Sequence, residues 1–295
     1  MTAPAPDLTS LAALQAPGFI ASDIDGTLLD SRERIQPRVR DAILRAVRGG
    51  TSFALATGRP ARWLMPVLDQ LPIRPIAVCS NGAVVYDTDT DEIIRGNFLG
   101  AEILQEIVPM AREALKKAKS DGLTTSSELS VAAERAGGSA WDPPEELFAV
   151  SKSYVHLWES TEHSVETEAE ILGKPATKLL MSGPGLMSQE LYDIIAPAIP
   201  EELAHVTFSM PDGLLEISAP GVTKRSALES VVTDLGLTTE SVVAFGDMPN
   251  DIEMLSWAGL GVAMGNARPE VKDAADVVTA ANDDSGIAEV LETWF

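Results

Sequence analysis

Gly18-Phe19-Ile20-Ala21-Ser22-Asp23-Ile24-Asp25-Gly26-Thr27-Leu28-Leu29 places two carboxylates, at i and i+2, at the end of a short apolar run. The segment Phe19–Asp25 reads as a buried parallel strand, and the last residues of such strands stand at the carboxyl edge where open α/β sheets bind ligands. Gly26 lets the chain turn away with no Cβ in the path. On a regular strand Asp23 and Asp25 point to one side, close enough to share a cation or a substrate group. Such a pair suits oxygen-only Mg²⁺ coordination, nucleophilic attack by one Asp and proton transfer by the other. The plain alternative is a solvated acidic turn, because the chain carries 44 Asp and Glu and turns favour Asp.

Three more polar clusters bear on that choice. Thr57-Gly58-Arg59-Pro60 follows the apolar run Ser52-Phe53-Ala54-Leu55-Ala56, and Lys224 opens a helical stretch. Gly246-Asp247-Met248-Pro249-Asn250-Asp251 follows Ser241-Val242-Val243-Ala244-Phe245. Each cluster ends a strand or opens a helix, so all arrive at the same edge of one sheet. In this order the set resembles the haloacid dehalogenase (HAD) superfamily of phosphatases, and within it the Cof-like branch, whose core carries an inserted α/β cap. The resemblance runs from about Phe19 to the C-terminus and is thinnest between about 87 and 210.

The resemblance implies a fold and a set of roles. The fold is α/β: a Rossmann-like doubly wound parallel sheet core, residues 1–86 and 219–295, with an inserted α+β cap, 87–218. Asp23 is then the nucleophile that forms an aspartyl-phosphate, and Asp25 the acid and base. Asp23, the backbone carbonyl of Asp25, and Asp247 are the implied Mg²⁺ ligands. Ile24, Thr57, Gly58, Lys224 and Asn250 fall at the transferring phosphoryl group, with Asp251 orienting its neighbours. Read without the family, Thr57 and Gly58 are either an anion site at a helix start or an ordinary helix cap. Lys224 read alone is an exposed helical lysine. The family commonly has Gly after this Lys, where Arg225 stands here.

Composition narrows the class. Net charge is −22, which argues against nucleic acid or an anionic membrane as partner. The same field repels a phosphorylated substrate, so a bound cation, a Lys and backbone N–H groups have to reverse the sign locally. Eight of the 22 basic residues lie between Arg32 and Arg62; Arg38, Arg40, Arg45 and Arg48 read as solvated helix faces. No apolar run approaches the ~20 residues of a membrane span, and Met1–Pro17 reads as a frayed lead-in without signal-peptide character. The single Cys79 lies in an apolar run and reads as a small core residue in a reducing cytoplasm.

Along the chain, strands at Phe19–Asp25, Ser52–Ala56 and Ile76–Ser80 alternate with a helix at Pro37–Arg48 and one begun by Pro60, which predicts a parallel sheet. Asn81-Gly82 is turn chemistry, with Ala83–Tyr86 as hairpin partner. The alternation resumes with a helix at Thr223–Leu235, strands at Ser241–Phe245 and Gly261–Met264, and helices at Asp251–Ala258 and Ser285–Thr293. Between them, 103–119 is an amphipathic helix. Strands are expected at Leu123–Ala132, Tyr154–Trp158, Ala176–Met181, Val206–Met210 and Leu214–Ile217, with helices near Ser164–Leu172 and Ser188–Ile195. An insert placed over the active edge of the core would exclude water and select substrates.

Other candidates carry less. Arg59 reads as structural. His156, His163 and His205 lack metal-ligand spacing; Trp141 and Trp158 read as packing, Met248 and Met254 as core filler. Gly265-Asn266-Ala267 matches a further family stretch without a chemical role. The expectation is a cytoplasmic Mg²⁺-dependent phosphatase for small phosphomonoesters, such as sugar phosphates or a phosphorylated cofactor. Its rivals are a sugar phosphomutase of the same superfamily and a non-catalytic phospholigand-binding protein.

Overall fold

The computed structural model describes residues 11–139, 141–154 and 162–295. The chain forms two compact units, Met1–Asp91 with Thr223–Phe295, and Glu92–Val222.

In the first unit the chain opens with β1 (Phe19–Ser22), which is buried along its length. The strand stops at Ser22. Asp23 leaves it, and Ile24–Leu28 form a wide π-type turn in which Leu29 N–H donates to the Ile24 carbonyl at 2.9 Å. The expected strand through Asp25 is therefore three residues too long, so the two carboxylates do not alternate on one strand face. Helix α1 (Pro37–Arg48) buries Val39, Ala42, Ile43 and Ala46 at helical spacing, with Pro37 in its first turn. Strands β2 (Ser52–Ala56) and β3 (Ile76–Cys79) follow, joined by a short α2 (Met65–Leu68). Pro60 caps a three-residue 3₁₀ turn, Ala61–Trp63, and does not begin the expected helix. Strand β4 (Val84–Asp87) returns antiparallel to β3.

The second unit begins with β5 (Glu92–Gly96) and the long α3 (Ala101–Ser120). Its sheet contains β6 (Ser130–Glu134), β7 (Phe148–Ser151), β8 (Ser164–Glu166), β9 (Lys178–Ser182), β10 (His205–Thr207) and β11 (Leu214–Ser218), in the order β10-β11-β9-β6-β7-β8. Short helices α4 (Pro144–Leu147) and α5 (Glu168–Leu172) and the longer α6 (Ser188–Ile195) lie between them. Leu104, Ile107, Ala111 and Leu115 of α3 pack with Ile171, Leu191 and Ile195 against Val131, Ala133, Leu179, Met181 and Leu215. All five residues of β9 are buried; alternate side chains go to opposite faces, Leu179 and Met181 to this helix-covered cluster and Leu180 to a smaller one with Ala132, Phe148, Val150 and Leu214. Several readings of this insert need correction. The strand assigned to Leu123–Ala132 lies at Ser130–Glu134, β7 was not anticipated, and the helix near Ser164–Leu172 is a strand before a shorter helix. Most of Tyr154–Trp158, with His156 and Trp158, lies outside the described residues.

The chain re-enters the first unit through α7 (Lys224–Asp234), then β12 (Val242–Gly246), α8 (Ile252–Trp257), β13 (Leu260–Ala263), α9 (Pro269–Ala274), β14 (Val277–Val278) and α10 (Gly286–Leu291). The strands of this unit stand in the order β14-β13-β12-β1-β2-β3-β4. All neighbours are parallel except β3 with β4. Ala21, Ala54, Ala56, Ala244 and Ala263 on the strands let α7 and α8 close on the sheet through Leu228, Val232, Met254 and Leu255. From β1 the chain runs outward one way to β2 and β3, then returns to build β12, β13 and β14 on the other side. The order reverses between β1 and β12, and a crevice at the carboxyl ends of these two strands is where open α/β sheets bind ligands. Among the described residues, no helix is long and apolar enough to cross a membrane.

Candidate active site

That crevice holds the acidic residues singled out by the sequence. Asp23 follows β1, and its N–H donates to the Phe245 carbonyl of β12 at 3.0 Å. Asp247 follows β12 directly. Its Oδ1 accepts from the Thr27 hydroxyl at 2.8 Å, which joins the turn after β1 to the end of β12. Gly26 makes this approach possible: its φ is +77°, and a Cβ there would lie 2.4 Å from Asp247 Oδ2. Outside the turn, Asn266 Nδ2 donates to the Gly26 carbonyl at 2.8 Å, and Asn266 Oδ1 accepts from Asn282 N–H at 3.0 Å. The Gly265-Asn266-Ala267 stretch thus has a role that its sequence did not disclose.

Lys224 opens α7, whose first turn is fixed by a reciprocal cap: Thr223 Oγ1 accepts from Ser226 N–H, and Ser226 Oγ accepts from Thr223 N–H. Its ammonium is not on the surface; it is 1% exposed. Nζ donates to Asp23 Oδ1 at 2.5 Å and Asp251 Oδ1 at 2.7 Å. The second Asp251 oxygen accepts from the Asp247 and Met248 backbone N–H groups, each at 3.0 Å. Asp23, Asp247 and Asp251 each offer an oxygen within 4.8 Å of the others, and all three are buried.

Three carboxylates beside one ammonium leave a buried excess of negative charge. Burial pushes the Asp23 carboxyl well above the usual carboxylate range; Lys224 opposes this, while Asp251, Asp247 and Asp25 add to it. Asp247 is pushed up to about 7, again by burial first and then by Asp251, against the Thr27 hydroxyl and Lys224. Burial works against the Lys224 charge, but Asp23 and Asp251 outweigh it and hold the ammonium above its ordinary range. All three shifts say that the cluster favours added positive charge. The donor set is all oxygen, as hard divalent cations require. Both Asp251 oxygens already accept bonds, so the spare coordinating capacity lies on Asp23 and Asp247.

Asp25 sits apart. Its side chain is 55% exposed and both its oxygens accept from Arg59, Nε to Oδ2 at 2.8 Å and a terminal nitrogen to Oδ1 at 2.5 Å. Such a fork fixes a carboxylate in orientation as well as in charge. Arg59, read as structural, therefore grips one of the two leading carboxylates. Thr57, at the end of β2, is buried; its N–H donates to the Val78 carbonyl, and its hydroxyl oxygen accepts from Arg59 N–H at 3.0 Å. No helix cap forms at Thr57, and its N–H is spent on the sheet, so its hydroxyl proton is what it has to offer a ligand. The Ile24 side chain is fully buried, leaving its backbone as its contribution. Asn250 Nδ2 donates to Asn81 Oδ1 at 3.1 Å. Asn81, turn chemistry by its sequence, is thus also a buried partner of Asn250. Trp141, read as packing, is 71% exposed.

The model of the haloacid dehalogenase-like hydrolase family matches residues 20–291. This chain belongs to that family. It is 28% identical over 284 residues to the 5-amino-6-(5-phospho-D-ribitylamino)uracil phosphatase YcsE of Bacillus subtilis, covering 94% of this chain and 95% of the relative. A second B. subtilis phosphatase named for the same activity, YitU, is 28% identical over 290 residues, covering 95% of this chain and 98% of the relative. Among solved structures, a haloacid dehalogenase-like hydrolase from Bacteroides thetaiotaomicron is 28% identical, with a TM-score of 0.68, covering 95% of this chain and all of that one. The chain is an enzyme of the hydrolase class.

Proposed function

We propose that this hydrolase is a Mg²⁺-dependent phosphatase of small phosphomonoesters that works through an aspartyl-phosphate on Asp23. The observation that supports it most is the Asp23–Lys224–Asp251 chain, buried at the switch point of the sheet beside Asp247. In this reading an Asp23 carboxylate oxygen bonds to phosphorus as the bond to the ester oxygen breaks. Asp25 gives its proton to the departing alkoxide. Water then attacks the acyl phosphate, Asp25 takes a proton from that water, and Asp23 is regenerated with release of inorganic phosphate. Lys224 holds positive charge against the phosphoryl oxygens throughout, with Thr57, Gly58 and Asn250 and the Ile24 backbone as further donors. Asp23 and Asp247, with the Asp25 carbonyl, would hold the Mg²⁺, which supplies neutralising charge for the phosphoryl group. Asp251 keeps Lys224 and the Asp247 backbone in place.

Arg59 gives Asp25 a second state. The bidentate pair occupies both Asp25 oxygens, so substrate arrival has to loosen it before Asp25 can reach the ester oxygen. The substrate is a small phosphorylated metabolite, and the relatives' polyol phosphate is one member of the class to try. A cytoplasmic setting agrees with the lone, buried Cys79. Phosphate release from a panel of sugar, polyol and cofactor phosphomonoesters, with Mg²⁺ and with EDTA, tests the reading. Metal-dependent release that disappears in Asp23→Asn is the expected result. Release unaffected by EDTA, or retained in the variant, overturns it.

A further inference from the structure

The turn after β3 is strained, buried and tied to the candidate site from three sides. Ser80, Asn81 and Gly82 have φ of 50°, 56° and 103° in succession. Non-glycine residues in this region cost on the order of 1–3 kcal/mol and persist where the surroundings hold them. Here Ser80 N–H donates to the Arg59 carbonyl at 2.9 Å and Asn81 N–H to the Thr57 carbonyl at 3.0 Å, docking the turn on the Thr57–Arg59 loop. At Gly82 a Cβ would stand 2.1 Å from the Thr223 carbonyl oxygen, directly ahead of Lys224. The Asn81 side chain, itself buried, reaches Asn250.

Asn250 Oδ1 is a buried acceptor with no hydrogen-bond partner among the described residues. An orphan of that kind costs roughly 1–3 kcal/mol, and in a native protein it points to a ligand or water that completes it. One Nδ2 proton of Asn250 is held by Asn81 Oδ1, which leaves the second Nδ2 proton for a ligand. We infer that Asn81 is a positioning residue of this phosphatase: it acts through Asn250, presenting the second Nδ2 proton to the phosphoryl oxygens and leaving Oδ1 to accept from a donor such as water or a substrate hydroxyl. The inference rests on the phosphatase reading. The strain follows from it, because a residue in a relaxed extended turn would not keep both the backbone docking and the amide contact.

Asn81→Gly removes the side chain and keeps the left-handed backbone. The expected result is a thermal midpoint within a few degrees of wild type, with the inhibition constant of inorganic phosphate and the KM both raised about tenfold, the loss of one hydrogen bond. In an Asn250→Ala background the same change should add nothing, since the partner through which it acts is gone. Equal losses in the two backgrounds, or no change in KM and phosphate inhibition at unchanged stability, overturns the proposal. A measurement without substitution covers the case in which the glycine variant does not fold. In the wild-type enzyme with Mg²⁺, the Asn250 side-chain amide protons should exchange slowly with solvent and shift on adding inorganic phosphate. Fast exchange, or no shift, contradicts it. Wild-type inactivity on every phosphomonoester would instead refute the phosphatase reading.

Discussion

At the residue scale the account rests on crowded charge. Asp23→Asn removes one carboxylate from a buried cluster while Asp251 still pairs with Lys224, so turnover should vanish and the metal-free protein should unfold no earlier than wild type. Calorimetry beside the activity assay checks both. Lys224→Met has the opposite balance: it strands two buried carboxylates, a loss of about 3–5 kcal/mol, read as a lower denaturant midpoint together with lost activity. The raised carboxyl of Asp247 gives a pH prediction. Its folded-state value, about 7, lies above the ordinary 3.8, so the folded protein binds the extra proton between those values. That stabilisation is fully present below the lower value and disappears as pH rises through the upper one. The metal-free protein should therefore melt higher at pH 6 than at pH 8, and the stabilisation by Mg²⁺ should be larger at pH 8. A Mg²⁺ effect that shrinks with rising pH would contradict the charge account. Lys224 shows where sequence reading stops at this scale. Nothing in Thr223-Lys224-Arg225 sets it apart from a surface lysine; only the fold carries it beside Asp23, 201 positions away.

At the element scale, the ends of strands were the legible part. An apolar run that closes on an Asp or Thr with a Gly beside it reads the same way in β1, β2 and β12, and all three runs form adjacent parallel strands. The exact ends were less legible, because the turn after β1 belongs to Gly26 and Asp247 jointly and Asp247 is distant in sequence. Gly26→Ala tests that joint constraint. The left-handed φ alone costs about 1–3 kcal/mol, and the new methyl must displace the Asp247 carboxylate. The thermal midpoint should fall and the Mg²⁺ concentration for half-maximal activity should rise; a lower midpoint with unchanged metal dependence would leave Asp247 without the role given to it. The insert was read less well for a related reason. Its β6, Ser130-Val131-Ala132-Ala133-Glu134, is rich in Ala with a Glu at its end, and this composition does not favour strands. Sheet neighbours on both sides, β7 and β9, override it.

At the scale of the whole molecule, a net charge of −22 surrounds a site that has to admit an anion. Raising ionic strength from about 10 mM to about 150 mM shortens the Debye length from roughly 30 Å to 8 Å, which screens the global repulsion more than contacts inside the crevice. The specificity constant for a dianionic substrate should therefore rise with salt at saturating Mg²⁺, and a fall would mean that local positive charge dominates the approach. The sheet order, with its reversal between β1 and β12, explains why the site lies where it does and why Asp23 and Asp247 share it. The most direct test of the central claim is acid quenching of the enzyme during turnover with Mg²⁺, followed by peptide mass mapping. The account predicts one phosphoryl group on the peptide containing Asp23, absent with EDTA and in Asp23→Asn. Steady turnover with a phosphoryl group on some other residue would contradict it.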